Sequence, residues 1–289
     1  MRAALHKSAI PESRIFVVKD LIERHFDPKW HSHSEYQLFL VTAGTGTRFV
    51  GESIKTFGAG ELVFTGPNLP HLWRNEEIYF DRTSKVMCSG IVIYFRETFL
   101  GDTVAGKEEF ILLKKLFTKA MRGVEYSGET RTLATKMMTE LVRMEGIQSV
   151  IQLLGILGVL ASSKEYNYLS PVHYETPLKE SETYRMNVVY EYIFKNYRQQ
   201  ITLQQMAALL HMTPTSFSRY FSIVNNKSFS RFLAEIRIKN ACTMLLETDT
   251  SITNICYNSG FNTLSNFNSQ FKSIMLKTPM EYKREFINL

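Results

Sequence analysis

The C-terminal third of this chain contains itself twice, and that repeat limits what it can fold into more than any other feature. Leu203, Met206 and Ala207 recur as Ile252, Ile255 and Cys256 at an offset of 49, and Phe217 and Phe221 recur as Phe267 and Phe271 at an offset of 50. Each copy reads as a short helix, a tight turn and a second helix with two phenylalanines four apart; one residue is inserted in the second turn. Residues four apart share a helix face, so each phenylalanine pair must be buried. What remains outward is Thr215, Ser216, Ser218, Arg219 and Ser222 in the first copy, and Ser265, Asn268, Ser269 and Lys272 in the second. This is the anatomy of a helix-turn-helix, used twice and joined by one long helix.

The outward residues are small, polar or cationic, as a groove-reading surface requires. An arginine can bond guanine O6 and N7 together, and an asparagine adenine N6 and N7, each pair discriminating by about 1–3 kcal/mol. Small serines let the backbone approach and bond phosphates. The plainer alternative for any one of these residues is a solvated helix face. Charge adds weight to the first reading. Of the 34 Lys+Arg and 28 Asp+Glu, 12 and 7 lie after residue 180, leaving 22 and 21 before it, so the net of +6 divides as +5 and +1. A basic compact segment is the footprint of a polyanion binder, although an ordinary basic surface has the same arithmetic.

The rest of the chain divides by period. Residues 1–105 are strand-like: Tyr36–Val41 and Ser89–Phe95 are short apolar runs, and glycines and Pro67 punctuate the segment between them, which suggests a small sandwich or barrel. Residues 106–162 turn helical. Phe110, Leu113, Phe117 and Ala120, then Leu133, Met137, Leu141 and Met144, recur at three and four, and the apolar segment Ile147–Ala161 follows. Such helices either cover the chain's own sheet or form a dimer surface. Residues 163–183, with Pro171 and Pro177 and no clean period, have a linker's composition. From 184 to 289 seven helices are expected: Asn187–Tyr197, Leu203–Leu210, Thr215–Val224, Phe229–Glu247, Ile252–Asn258, Leu264–Met275 and Pro279–Phe286. The fold class is thus multidomain α+β, with a β-barrel plus helices in front and an all-α tandem helix-turn-helix behind.

The segment Met1–Ile10 carries Arg2, His6 and Lys7 and no apolar run, so no secretory signal is expected. The uncharged stretch from Gly146 to Ser163 is interrupted by polar residues and falls short of the roughly 20 apolar residues of a membrane span. Three scattered cysteines, Cys88, Cys242 and Cys256, form no disulfide framework and no metal knuckle. A reducing, cytoplasmic location fits these readings.

Arg237-Ile238-x-x-Ala241, Leu245-Leu246, Ile252-x-x-Ile255, Gly260-Phe261, Ser265-x-Phe267, Phe271-Lys272 and Thr278-Pro279-x-x-Tyr282 together resemble the C-terminal signature of the AraC/XylS family of bacterial transcription regulators. The resemblance covers about Asn187 to Phe286. It implies two recognition helices in successive major-groove segments about 34 Å apart, one duplex turn, and it places the outward residues named above at the DNA. This sequence departs from the family in two places: the second recognition helix lacks an arginine, and Leu276 stands four residues after Lys272, where the family has glycine (Asn226 holds the matching place in the first copy). A glycine allows φ > 0 there, which leucine adopts only with strain.

Trp30-His31-Ser32-His33-Ser34-Glu35-Tyr36-Gln37 and Gly60-to-Asn75, with Pro70-His71, resemble the two motifs of a cupin barrel. Strand alternation would put His31, His33, Glu35 and Gln37 on one face, with His71 joining from a facing strand and Trp73 two residues on. Three readings stay open. His31, His33 and His71 could hold a divalent transition metal, although Gln37 stands where metal-binding cupins have glutamate. The set could instead bond a small polar ligand, or its members could satisfy one another. His25 and His211 read as structural or surface residues.

A one-component regulator is therefore expected: a cupin-like front that senses a small polar effector, a sugar for example, and a tail that binds double-stranded promoter DNA, as an activator or otherwise. Its other expected partners are a second copy of itself in a homodimer and RNA polymerase; no cofactor is required and no membrane is involved. The rival reading is a metal-dependent cupin oxygenase or isomerase fused to a DNA-binding part. A third is a DNA binder without an effector.

Overall fold

The computed structural model describes residues 10–101, 107–171, 179–247 and 250–287, and the chain divides into two units, Met1–Lys179 and Glu180–Leu289. The expectations on Arg2, His6, Lys7 and Pro177, and the 105/106 boundary, lie outside the described residues.

Among the described residues, the first unit has nine strands in two antiparallel sheets. The larger runs β1 (Phe16–Glu23), β7 (Cys88–Phe95), β2 (Tyr36–Ala43), β5 (Leu62–Thr65), β8 (Val124–Tyr126), β9 (Tyr166–Tyr168), in that spatial order. The smaller is β4 (Ser53–Phe57), β3 (Gly46–Val50), β6 (His71–Asn75). β2 is buried on both faces over Tyr36–Val41 because each face serves a different core. Tyr36, Leu38 and Leu40 pack outward against three helices, α1 (Ile111–Ala120), α2 (Gly128–Leu141) and α3 (Gly146–Ser162), through Leu116, Leu153 and Leu157 among others. Phe39 and Val41 face inward, with Val63, Trp73, Val92 and Tyr94. The continuous apolar run is thus two interleaved alternations. Truncating Leu40, which is fully buried, to alanine would cost about 2–5 kcal/mol.

Two expectations are corrected here. The helical zone 106–162 also contains β8, and the linker 163–183 contains β9, which pairs with β8 from Val124↔Tyr168 to Tyr126↔Tyr166. Three residues are too few for a period to show in the sequence. Backbone pairing and the tyrosines' contacts hold them instead: Lys119 over the Tyr166 ring at 4.4 Å and Arg122 over Tyr168 at 3.8 Å.

In the second unit helices follow one another as α4 (Glu180–Asn196), α5 (Leu203–Leu209), α6 (Pro214–Asn225), α7 (Phe229–Glu247), α8 (Ile252–Asn258), α9 (Leu264–Met275) and α10 (Pro279–Ile287). α4 starts seven residues before the expected Asn187, which takes four more residues from the linker. Among the described residues no helix is long and apolar enough to cross a membrane.

Candidate nucleic-acid interface and sensor cavity

Both helix-turn-helix copies are built by the same local devices. Thr213 caps α6 by accepting from the Ser216 amide at 3.2 Å, and Thr263 caps α9 by accepting from the Asn266 amide at 3.3 Å. Pro214 takes the first helical position, where its missing N–H costs nothing. Each turn closes with the same backbone bond, Met212 N to Ala207 O at 2.9 Å and Phe261 N to Cys256 O at 3.1 Å. The turn residues His211 (φ 54°) and Gly260 (φ 91°) are both in the left-handed region. Asn226 (φ 51°) and Leu276 (φ 59°) end α6 and α9 in that region too, so the leucine accepts the strained conformation rather than rebuilding the turn.

Phe217, Phe221, Phe267 and Phe271 are wholly buried. Phe221 meets Phe232 edge-on at 5.3 Å, and Phe271 meets Tyr282 edge-on at 5.7 Å. On the far side Thr215, Ser216, Arg219, Ser265, Asn268, Ser269 and Lys272 are exposed, while Ser218 and Ser222 are partly covered. The Ser216 hydroxyl is engaged in the cap, accepting from Thr213 Oγ1 at 2.9 Å. The repeat runs further than the hydrophobic spacing indicated. Lys227 pairs with Glu235 at 2.8 Å, and Lys277 pairs with Glu285 fifty residues on. The two Lys-x7-Glu spacings were visible in the sequence as a signal at the same offset.

In the first unit a cavity of about 440 Å³ opens between the sheets. His31, Gln37, His71 and Trp73 line it; so do Phe26, Phe39 and Tyr94, and Lys19, Glu23, His25 and Asp27 add charge or polarity. His25, expected to be structural or surface, stacks on Phe80 at 4.3 Å and contributes to the wall. The strand alternation expected from His31 to Gln37 does not hold. β2 begins only at Tyr36, and His31 makes an isolated bridge with His71. Glu35 consequently turns toward Arg96, 3.6 Å away, and does not line the cavity.

The three histidines are nevertheless together: one ring nitrogen from each lies within 4.8 Å of the others. Each Nδ1 faces a backbone carbonyl, His31 that of Lys29 at 2.7 Å, His33 that of Glu35 at 3.0 Å and His71 that of Leu69 at 2.7 Å. Donation from Nδ1 leaves each Nε2 as an acceptor. For His33 the observed neighbour of Nε2 is Gln37 Oε1 at 3.2 Å, an acceptor itself, so this tautomer requires the Gln37 amide to turn its nitrogen toward the ring. His71 Nε2 is buried with no hydrogen-bond partner. Burial, with repulsion from His31, lowers the His33 imidazole to about 4, and burial holds His71 well below its ordinary value. Both are neutral at pH 7, the form that binds a metal or accepts a hydrogen bond.

Behind Trp73 lies a buried ion pair. Trp73 Nε1 donates to Glu61 Oε2 at 3.0 Å, and Arg48 Nη1 sits 2.9 Å from Glu61 Oε1. Arg48 is wholly buried, and neither its Nε nor its Nη1 has a hydrogen-bond acceptor in line, so the contact with Glu61 is Coulombic rather than an aligned hydrogen bond. Burial raises the Glu61 carboxyl despite that neighbour. Arg48 Nη2 also donates to Glu125 on β8 at 3.3 Å, joining the two sheets.

A family model described as a helix-turn-helix domain matches residues 206–285, and one described as a cupin domain matches residues 21–78. The HTH-type transcriptional regulator YdeC of Bacillus subtilis is 30% identical over 103 residues, which are 36% of this chain and 35% of that protein. The chain therefore spans about a third of that relative's length. The HTH-type transcriptional activator RhaR of Mannheimia succiniciproducens is 20% identical over 278 residues, 91% of each protein. Among solved structures, the C-terminal domain of AraT, a response regulator from Geobacillus stearothermophilus, is 29% identical, covers 38% of this chain and 88% of that one, and superposes with a TM-score of 0.34.

Proposed function

Because this chain carries an AraC-type helix-turn-helix domain behind a cupin domain, we propose that it is a transcription regulator that binds double-stranded promoter DNA and answers to a small polar ligand in its cavity. One observation carries the reading: two helices of matched construction bury their phenylalanines and leave Arg219 and Asn268 exposed on the opposite faces. Arg219 would read a guanine, Asn268 an adenine, and Lys272 would hold a phosphate. The second reading face has a lysine and no arginine, so base discrimination falls chiefly on the first.

The cavity favours a ligand of modest size with both apolar and hydrogen-bonding faces. Trp73, Phe39 and Tyr94 offer flat surfaces, while His31, His71 and Gln37 offer donors and acceptors at one end. Ligand binding would alter how the sensor presents the readers, a coupling of the usual 1–3 kcal/mol size. A homodimer fits the exposed Ile147 and Ile151 on the outer face of α3, and RNA polymerase would be a partner at the promoter. Selection of bound fragments from random duplex DNA, repeated with a panel of sugars and other polyols, tests the proposal. Recovery of no common sequence would refute it.

A second reading rests on the buried, unpartnered Nε2 of His71. His31, His33 and His71 fit a divalent transition metal, which needs their nitrogens drawn to about 3.4 Å apart around a 2.0–2.1 Å bond. Such an ion would supply Lewis acidity to a bound ligand or substrate. Metal analysis of the purified chain, with and without His71→Ala, separates this reading from a metal-free cavity.

A further inference from the structure

Helix α7 links the two helix-turn-helix copies, and Arg237 on it touches both sides of the join. Its Nε donates to the Tyr197 carbonyl at 2.8 Å and its Nη2 to the Gln199 carbonyl at 2.7 Å. Those carbonyls lie just past the end of α4, where the chain enters the first copy, and a helix end leaves such groups without intrahelical partners. The guanidinium carbon is 5.7 Å from the centre of the Phe261 ring, in the turn of the second copy. Beside it Gly260 has φ 91°, and a Cβ there would lie 2.4 Å from the Tyr197 oxygen. The turn of the second copy and the entrance to the first are therefore pressed together, with one side chain across the seam. Arginine suits this place because its donors are fixed in a plane, which a lysine's single ammonium cannot reproduce. A second arginine on α7 makes a parallel link: Arg231 Nη1 donates to Ser273 Oγ on α9 at 2.8 Å, while its Nε meets Glu235, the partner of Lys227 just beyond α6.

We propose that Arg237 is a positioning residue that fixes the separation and angle of the two reading helices, so that the chain's preference for operator spacing resides in a side chain that does not itself meet DNA. The proposal rests on the DNA-reading function above, but the brace can be measured without DNA. Nitroxide labels would be placed in the full chain at Ile223→Cys on α6 and Asn266→Cys on α9, both exposed, the three native cysteines being buried. Pulsed electron resonance should give one narrow distance distribution in the parent, and one about twofold wider or more in Arg237→Lys. On DNA, inserting one base pair between the two contacted segments of a selected fragment should cost the parent about tenfold in affinity. The lysine variant should lose less than about threefold, with binding to a single segment unchanged. Should Arg237→Lys not melt cooperatively, Gly260→Ala, which pushes the same turn off Tyr197 from the other side, should give the same widening. Unchanged distance width together with an unchanged insertion penalty overturns the brace. If no fragment binds the parent, the DNA-reading function fails and the distance widths alone decide the brace.

Discussion

Asn226 and Leu276 end the two recognition helices in the same left-handed backbone conformation, φ 51° and 59°, at an offset of 50 residues. They do so at different cost. Asparagine visits this region readily, whereas a leucine's Cβ crowds the carbonyl by about 1–2 kcal/mol. Leu276 is 83% exposed and so regains little of that by packing. Leu276→Gly should stabilise the second unit by about 1 kcal/mol, and Asn226→Gly should change stability by a few tenths at most. Thermal unfolding of the full chain checks this; a Leu276→Gly protein that melts at or below the parent contradicts it.

The two reading faces should respond differently to mutation. Arg219→Ala should relax base preference at one operator position and cost about 1–3 kcal/mol there. Lys272→Ala should weaken all sequences alike and reduce the slope of log affinity against log salt by about one. Binding isotherms on selected and scrambled duplexes at several salt concentrations distinguish the two. Identical behaviour of both variants would mean the faces are wrongly assigned.

Neutral, buried histidines make the sensor sensitive to acid. In an unfolded chain His33 gains its proton near pH 6.5, but in the fold only near 4, and His71 is lowered as well. Between those values the unfolded state binds more protons, so stability falls as pH falls. Chelator-treated protein should lose about 2 kcal/mol from His33 alone between pH 7 and pH 5, and His71→Gln should show a shallower loss. Urea titrations at the two pH values with equal midpoints for the parent would rule this out.

Arg48 and Glu61 should be indispensable to each other rather than individually stabilising. Arg48→Met leaves a buried carboxylate without its cation and should cost about 3–5 kcal/mol. Adding Glu61→Gln, which keeps an acceptor for Trp73, should restore most of it. A double variant as unstable as the single one would show that Arg48 acts through packing alone.

The recognition helices were legible in the sequence nearly to the residue. The expected Leu264–Met275 is the observed α9, and Thr215–Val224 lies one residue inside α6 at each end. Phenylalanine spacing and threonine caps are local signals, and local signals decided these elements. What escaped depended on partners distant in sequence. β9 exists because Tyr166–Tyr168 meets β8. Arg48, which no local pattern singles out, is buried because Glu61, just before β5, and Glu125 on β8 converge on it. His31 to Glu35 carry the chemistry of a strand face without its geometry, since the strand starts only at Tyr36 and His31 makes just an isolated bridge. Composition could name the histidine cluster but could not orient it.

The caps and the edge-on rings sit on the turn and core sides of each half, and the paired lysine–glutamate contacts start just past the ends of α6 and α9. None of them uses a residue proposed to face the duplex except the Ser216 cap. Sequence drift on the outer faces is therefore nearly free of folding penalty, and each half can acquire a new address independently of the other. Transplanting the outward side chains of α6 onto α9 should produce a protein that folds as before and seeks the same word twice.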